Sequence, residues 1–266
     1  MKQFRYLSLA ALLPSLCAHA VEVAPGDYEQ LPADATLGLL YYQHSTTKSA
    51  YAQGHKISSD FDLTSDVGIL RLLHVYQLSE RLTVSPQLLL PFGHVSSGGD
   101  ASALGNTSGV GDLILTAPLK YTLNDAKDVL GATAYLYVPS GNYDKNDALN
   151  LGENRWKVDL QAAYIKHFSE KWAVDLVGDA IWYGDNNDFG ANSARREQDV
   201  SYETQLMGRY MPDPTTALAI GFGHNWGGET QVAGVNQDDK MQTTNFRVTA
   251  TKFVTAKDQL QLQLGR

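Results

Sequence analysis

Twelve charged residues stand where extended runs would align them: Arg71, Arg81, Asp112, Lys120, Arg155, Lys157, Asp159, Asp175, Asp179, Glu203, Arg209 and Arg247. Residues two apart on a β-strand share a face. Arg155, Lys157 and Asp159 therefore project to one side of their run, with Trp156, Val158 and Leu160 on the other. Asp175 and Asp179 oppose Trp172, Val174 and Leu176 in the same way. Ladders of mixed sign suit two jobs. They line a hydrated passage and set its selectivity, or they pair across strands and fill a small barrel as packing. The sequence leaves both open.

Arg71 joins the set on energetic grounds. A mid-bilayer Arg facing lipid loses roughly 2–4 kcal/mol, so it belongs inside, and Val67, Ile69, Leu73 and Val75 turn inward with it. The expected interior is ionic along most runs, with one apolar track along 66–77.

Other chemistry finds little support. Asp185-x-Asn187 followed by Gly190 has the outline of a calcium loop, but Phe189 and Arg196 stand where oxygen ligands are required. The His residues show no ligand spacing, so no metal and no cofactor are expected. His224, beside Trp226 on an apolar face, has no accompanying nucleophile pattern and reads as an interfacial side chain. The glycines from Gly105 to Gly111 lack the Lys and following helix of a phosphate loop. Asp144, Asp147, Asp238 and Asp239 read as solvated loop charge.

The elements that must position these residues alternate with a period of two over about ten residues, the length a tilted strand needs to cross a bilayer. Clear cases are 81–90, 110–121, 154–166, 172–182, 199–211 and 258–265; less regular ones are 35–44, 66–77, 128–138, 216–226 and 242–254. Eleven strands result. Their connections alternate strictly between long (45–65, 91–109, 139–153, 183–198, 227–241) and short (78–80, 122–127, 167–170, 212–215, 255–257). Outer-membrane barrels sort their loops this way, with tight periplasmic turns and extended outer loops. Lipid cannot hydrogen-bond a free backbone group, so a spanning sheet closes on itself. Trp156, Tyr164, Trp172, Trp182, Tyr202, Tyr210 and Trp226 stand near strand ends, where aromatic girdles lie. The fold class expected is all-β: a transmembrane antiparallel up-and-down β-barrel of about 12 strands. Eleven are visible and even numbers are the rule, so either a last strand is expected beyond Arg266 or one of the eleven, 35–44 or 66–77, is not a strand. A water-soluble sandwich or lipocalin-like barrel alternates too, but has no reason to sort its loops by parity.

Composition agrees. The 266 residues carry a formal charge of −8, against nucleic-acid binding. Beyond the first twenty residues no apolar run approaches the ~18 of a membrane helix. Residues 1–20 read as a secretory signal peptide, with Lys2 and Arg5, an apolar stretch Tyr6 to Leu13, and Ala18-His19-Ala20 before the cut. The single Cys17 leaves with it, and the charge becomes −10. Residues 21–34 are expected to be a periplasmic segment and 35–266 the barrel, in the bacterial outer membrane.

Several stretches resemble the outer-membrane family named for the MetA pathway of phenol degradation, also called SphA-like transporters. They include Ala24-Pro25-Gly26-Asp27-Tyr28, Leu39-Leu40-Tyr41-Tyr42-Gln43-His44, Ser65-Asp66-Val67-Gly68-Ile69-Leu70-Arg71 and Leu90-Pro91-Phe92-Gly93. Gly109-Val110-Gly111-Asp112-Leu113, Val138-Pro139-Ser140-Gly141-Asn142-Tyr143-Asp144 and Asn150-Leu151-Gly152-Glu153-Asn154-Arg155-Trp156 follow in order. The resemblance implies an outer-membrane barrel associated with uptake of aromatic or hydrophobic compounds.

The reading is a passive channel for small hydrophobic or aromatic molecules, not an enzyme. The alternatives are a lipid-modifying barrel enzyme and a structural or adhesive barrel acting through its outer loops. Expected partners are outer-membrane lipid and lipopolysaccharide, the solute, and the barrel-assembly machinery during biogenesis.

Overall fold

The computed structural model describes residues 22–52 and 55–266; the signal-peptide reading of 1–20 lies outside them. The described chain is built almost wholly of strands, with one single-turn 3-10 helix at Ser102–Leu104. None of its helices is long and apolar enough to cross a membrane.

One large sheet follows an eleven-member path in chain order, every neighbour antiparallel. We label its members β1 (Thr36–Thr47), β2 (Phe61–His74), β3 (Gln87–Gly99), β4 (Leu113–Thr116), β5 (Val129–Val138), β6 (Lys157–Ser169), β7 (Trp172–Tyr183), β8 (Ser201–Asp213), β9 (Thr216–Gly227), β10 (Met241–Phe253) and β11 (Gln259–Gly265). This is the up-and-down meander that the loop parity implies. Along the path of hydrogen-bonded strands β1 and β11 form its two ends.

Two prolines explain where the observed strands depart from the sequence pattern. The run 81–90 is divided, with Leu82–Val84 separated from β3 around Pro86; the run 110–121 is divided at Pro118, with Leu119–Thr122 beyond it. Proline supplies no N–H to the ladder. The two breaks meet, because the Ser85 N–H donates to the Pro118 carbonyl at 3.0 Å. A second departure concerns loops. Much of 45–65 and 91–109 continues as strand, with Leu63 opposite Ser97 and Thr64 opposite Ser96. At about 3.3 Å per residue, the 14 residues of β2 overreach a ~30 Å hydrocarbon core. The polar ends of the ladder stand clear of the bilayer.

Side chains alternate across the wall. In β5 and β6 every second residue is buried, while Leu130, Leu136, Val158, Leu160 and Tyr164 face outward and exposed. The outer face continues through Leu176, Leu206, Ile220 and Phe222, where hydrocarbon replaces water. Trp156, Trp172, Trp182 and Tyr202 are also exposed, as girdle residues must be.

Candidate lumen and the segment that fills it

Residues 22–35 contain no spanning strand, yet they are not a free tail. They run along the inner face of the sheet and touch most of its strands. Val23 and Tyr28, 2% and 3% exposed, pack with Val129, Ala163, Ile165, Ala173, Val177 and Met207. Burying an aromatic ring and a valine in this way stabilises by roughly 1.5–3 kcal/mol each. Tyr28 fits because Gly131 makes room: a Cβ there would lie 2.1 Å from the ring. Its hydroxyl donates to Gln161 Oε1 at 2.6 Å and contacts Thr133 Oγ1 at 2.5 Å. Burial raises the Tyr28 phenol well above its usual range, so it remains a neutral donor.

Polar contacts fasten the segment on all sides. Gly26, at φ +81°, sends its N–H to Asp175 Oδ2 at 2.8 Å. Arg71 Nη1 lies 3.1 Å from both Asp27 carboxylate oxygens, and Lys120 Nζ donates to the carbonyls of Asp27 (2.6 Å) and Glu29 (3.0 Å). Burial opposes ionisation of Asp27, but Arg71 and Lys120 outweigh it and hold the carboxyl below the usual range. Glu29 meets Arg209 Nη2 at 2.5 Å and His167 Nε2 at 2.9 Å, while Arg209 Nε reaches Asp175 at 2.9 Å. Gln30 accepts from Thr83 Oγ1 at 2.7 Å and donates to the Lys120 carbonyl at 2.9 Å. Arg247 pairs with Glu22 and donates to the Val23 carbonyl at 2.8 Å.

Eleven of the twelve charged residues picked out from the sequence are buried. Arg71, Lys120, Asp175, Arg209 and Arg247 meet the segment as described. Arg155 and Lys157 both pair with Glu153 in the preceding loop, Arg155 through Nη2 at 2.5 Å. Arg155 also stacks over Tyr183 and Lys157 over Tyr137. Burial disfavours the Glu153 anion, but Lys157 and Arg155 overcome it and hold its carboxyl far below the usual range. Asp112 accepts the backbone N–H groups of Ser140, Gly141 and Glu153 at 3.1, 2.9 and 2.9 Å, so it organises the following loop. Asp159, Asp179 and Glu203 lie on the inner face of β6, β7 and β8. Arg81 stands apart. Its side chain is half exposed at a short turn, near the Leu123 carbonyl (3.3 Å) and Asp125 (3.5 Å).

The apolar track expected along 66–77 is present and broader. Ile69 packs against Leu89, Ile114, Tyr135 and Tyr137 on the inner face of β2–β5. Toward the long loops, Phe61, Leu63, Val95, Ala101, Leu104, Leu149 and Leu151 form a second buried cluster. Sequence reasoning missed the whole set Glu22, Asp27, Tyr28, Glu29 and Gln30, and Glu153 as well. One signal was present: three of the four carboxylates in the N-terminal segment, Glu22, Asp27 and Glu29, match basic residues left inside. No group of His, Cys, Asp and Glu able to hold a metal occurs among the described residues.

Residues 46–266 match the family described as "Putative MetA-pathway of phenol degradation". The chain is similar to the crystal structure of an outer membrane channel from Pseudomonas putida F1, at 76% identity over 92% of each chain with a TM-score of 0.91. No curated protein matches.

Proposed function

The chain belongs to this MetA-pathway family, and from that premise we propose that it is a passive outer-membrane channel for small hydrophobic or aromatic molecules. The observation that carries the proposal is the apolar inner face of β2–β5, where Ile69, Leu89, Ile114, Tyr135 and Tyr137 form one cluster. A lumen serving only sugars or ions has no use for such a wall. Sparingly soluble molecules gain there what they would otherwise lose in water. Transport needs no covalent chemistry: a solute follows its concentration gradient and the lining selects it.

The signal peptide is cleaved after Ala20 on this reading, and the barrel reaches outer-membrane lipid and lipopolysaccharide through the assembly machinery. Edman sequencing of the membrane-extracted protein then starts at Val21. The transport test compares initial uptake of a labelled small aromatic compound in cells with wild-type protein, with Leu89→Asp, and with none. Uptake in the order wild type, variant, none supports the proposal. Equal rates in all three overturn it.

A further inference from the structure

We propose that the long loops hold a binding site for the carboxylate of a small aromatic acid, formed by Arg196 and Arg155 at the start of β6. The proposal rests on the channel reading for its use, and narrows the aromatic solutes of that reading to those carrying a carboxylate. Two of the long loops fold into a sheet of four short strands, Asn186–Phe189, Ala194–Gln198, Thr230–Val232 and Val235–Asn236. Two contacts seat this sheet on the chain that leads into β6. Asn186 Nδ2 donates to the Glu153 carbonyl at 3.1 Å, and Gln198 Oε1 accepts from Arg155 Nη2 at 2.6 Å. Residues two apart on a strand share a face, so Arg196 stands on the face where Gln198 meets Arg155.

Both guanidinium groups lack an acceptor. Arg196 is held over the Phe189 ring, 5.2 Å from its centroid, and among the described residues no hydrogen bond or ion pair reaches it. A ring orients a guanidinium and leaves its five N–H donors available to a planar acceptor. The adjacent Arg195, by contrast, is paired with Asp185 at 2.6 Å and Glu197 at 2.9 Å. The Arg155 side chain is fully buried; Glu153 and Gln198 take its Nε and Nη2, while Nη1 has no partner. Leaving a buried charged donor unmade is costly, and an acceptor arriving from solution removes that cost.

The acids nearby are already committed. Glu153 serves both Arg155 and Lys157, Asp188 serves Lys145, and Asp239 accepts the Thr230 N–H at 2.8 Å and hydroxyl at 2.6 Å. Burial, and after it the Arg155 charge, push the Arg196 guanidinium below its usual value, while Glu153 and Asp239 act the other way. The two guanidinium groups are thus close enough to repel, and an anion shared by them relieves it. A carboxylate is planar, matches the guanidinium fork with two oxygens, and carries one charge. A dianion such as phosphate meets more repulsion from Glu153 and Asp239. Tyr143 also acts on Arg196 and has its hydroxyl fixed on the Asp188 carbonyl at 3.0 Å. It adds a second ring beside Phe189, which suits an aromatic acid.

The test is titration calorimetry of the detergent-solubilised protein with sodium benzoate, benzyl alcohol and inorganic phosphate in turn. Benzoate binding that weakens tenfold or more in Arg196→Gln, and is kept in Arg195→Gln, supports the site. No benzoate binding, or equal binding in wild type and Arg196→Gln, overturns it. Benzyl alcohol or phosphate bound as tightly as benzoate overturns it as well. Should Arg196→Gln not fold, wild-type protein is treated with phenylglyoxal and its modified arginines are mapped by mass spectrometry. Protection of Arg196 by benzoate then supports the site, and modification unaffected by benzoate overturns it. Cellular uptake separates this outcome from that of the channel reading. Arg196-dependent benzoate binding in cells whose uptake of benzoate and of a neutral arene ignores the protein defeats the channel and leaves the site. Protein-dependent uptake of the neutral arene without benzoate binding does the reverse.

Discussion

The Arg209 guanidinium lies 2.5 Å from the Glu29 carboxylate, which joins β8 to a residue 180 positions earlier in the chain. The same guanidinium holds Asp175 on β7. The wall and its contents therefore share one electrostatic fastening, and the two cannot be altered independently.

Glu29→Gln and Asp27→Asn each remove one anchor and leave Arg209 or Arg71 with less counter-charge. Both carboxylates are partly exposed and Arg209 keeps Asp175, so the cost falls below the about 3–5 kcal/mol of breaking a fully buried pair from one side. Single-channel conductance is expected to rise in each, and to rise further on deleting 22–34. Conductance equal to wild type in the deletion would show that the segment does not obstruct the path.

Gly131→Val places a side chain where the Tyr28 ring now lies. Overpacking of this kind costs about 1–3 kcal/mol, so the melting temperature falls and the segment lifts. Tyr28→Ala in the same protein vacates the space. The double variant is expected to be more stable than the two single effects would sum to, a coupling read from a thermodynamic cycle.

Asp112→Ala strips the side-chain acceptor from the Gly141 and Glu153 N–H groups, while the Ser140 N–H keeps the Val138 carbonyl at 2.7 Å. A buried donor left unmade, as at Glu153, costs about 1–3 kcal/mol. The loop 139–153 should become the first site of limited proteolysis in the variant, with strands still protected. A digestion pattern unchanged from wild type would remove Asp112 from this role.

Acid acts through carboxylates whose folded values are depressed. Asp27 is held low by Arg71 and Lys120, against burial. Asp128, at a short turn, is held down to about 2 by Lys166, Asn124 and the His167 N–H. Groups of this sign add stability that is complete above the ordinary value of 3.8 and disappears as pH falls through the folded value. Tryptophan fluorescence of the folded barrel is therefore expected to stay flat from pH 7 to about 4 and to change below it. Asp128→Asn should flatten part of that change.

Replacing Arg155 and Lys157 together by Gln leaves Glu153 as a lone buried carboxylate near the long-loop end. The reversal potential in a KCl gradient should move in the cation-selective direction. Unchanged potentials would mean that these side chains do not border a conducting path.

Much of this arrangement was legible in the sequence because the bilayer imposes one rule on every strand. The alternation in 258–265 located β11, and the loop parity ordered all eleven strands. The energetic argument for Arg71 placed it inside together with Leu73 and Val75. What escaped lacks periodicity. Tyr28 reads as an ordinary tyrosine until Gly131 on β5 is seen to receive it, a fit between positions about a hundred residues apart. Glu153 sits in a loop, where alternation says nothing, and its partnership with Arg155 and Lys157 depends on a turn. The divisions at Pro86 and Pro118 also escaped, because the runs 81–90 and 110–121 keep their alternation across a proline that supplies no N–H to the ladder.

The N-terminal segment is fastened in chain order, Glu22 to β10, Val23 to Gln205 on β8, Gly26 to β7, Asp27 to β2, and Glu29 to β8 and β6. A mechanical load applied at Glu22 thus meets its fasteners singly and in sequence, as a zip does. A push spread across the lumen loads them all at once. The molecule is consequently anisotropic to force: yielding to a tug along the peptide, resistant to pressure across the pore.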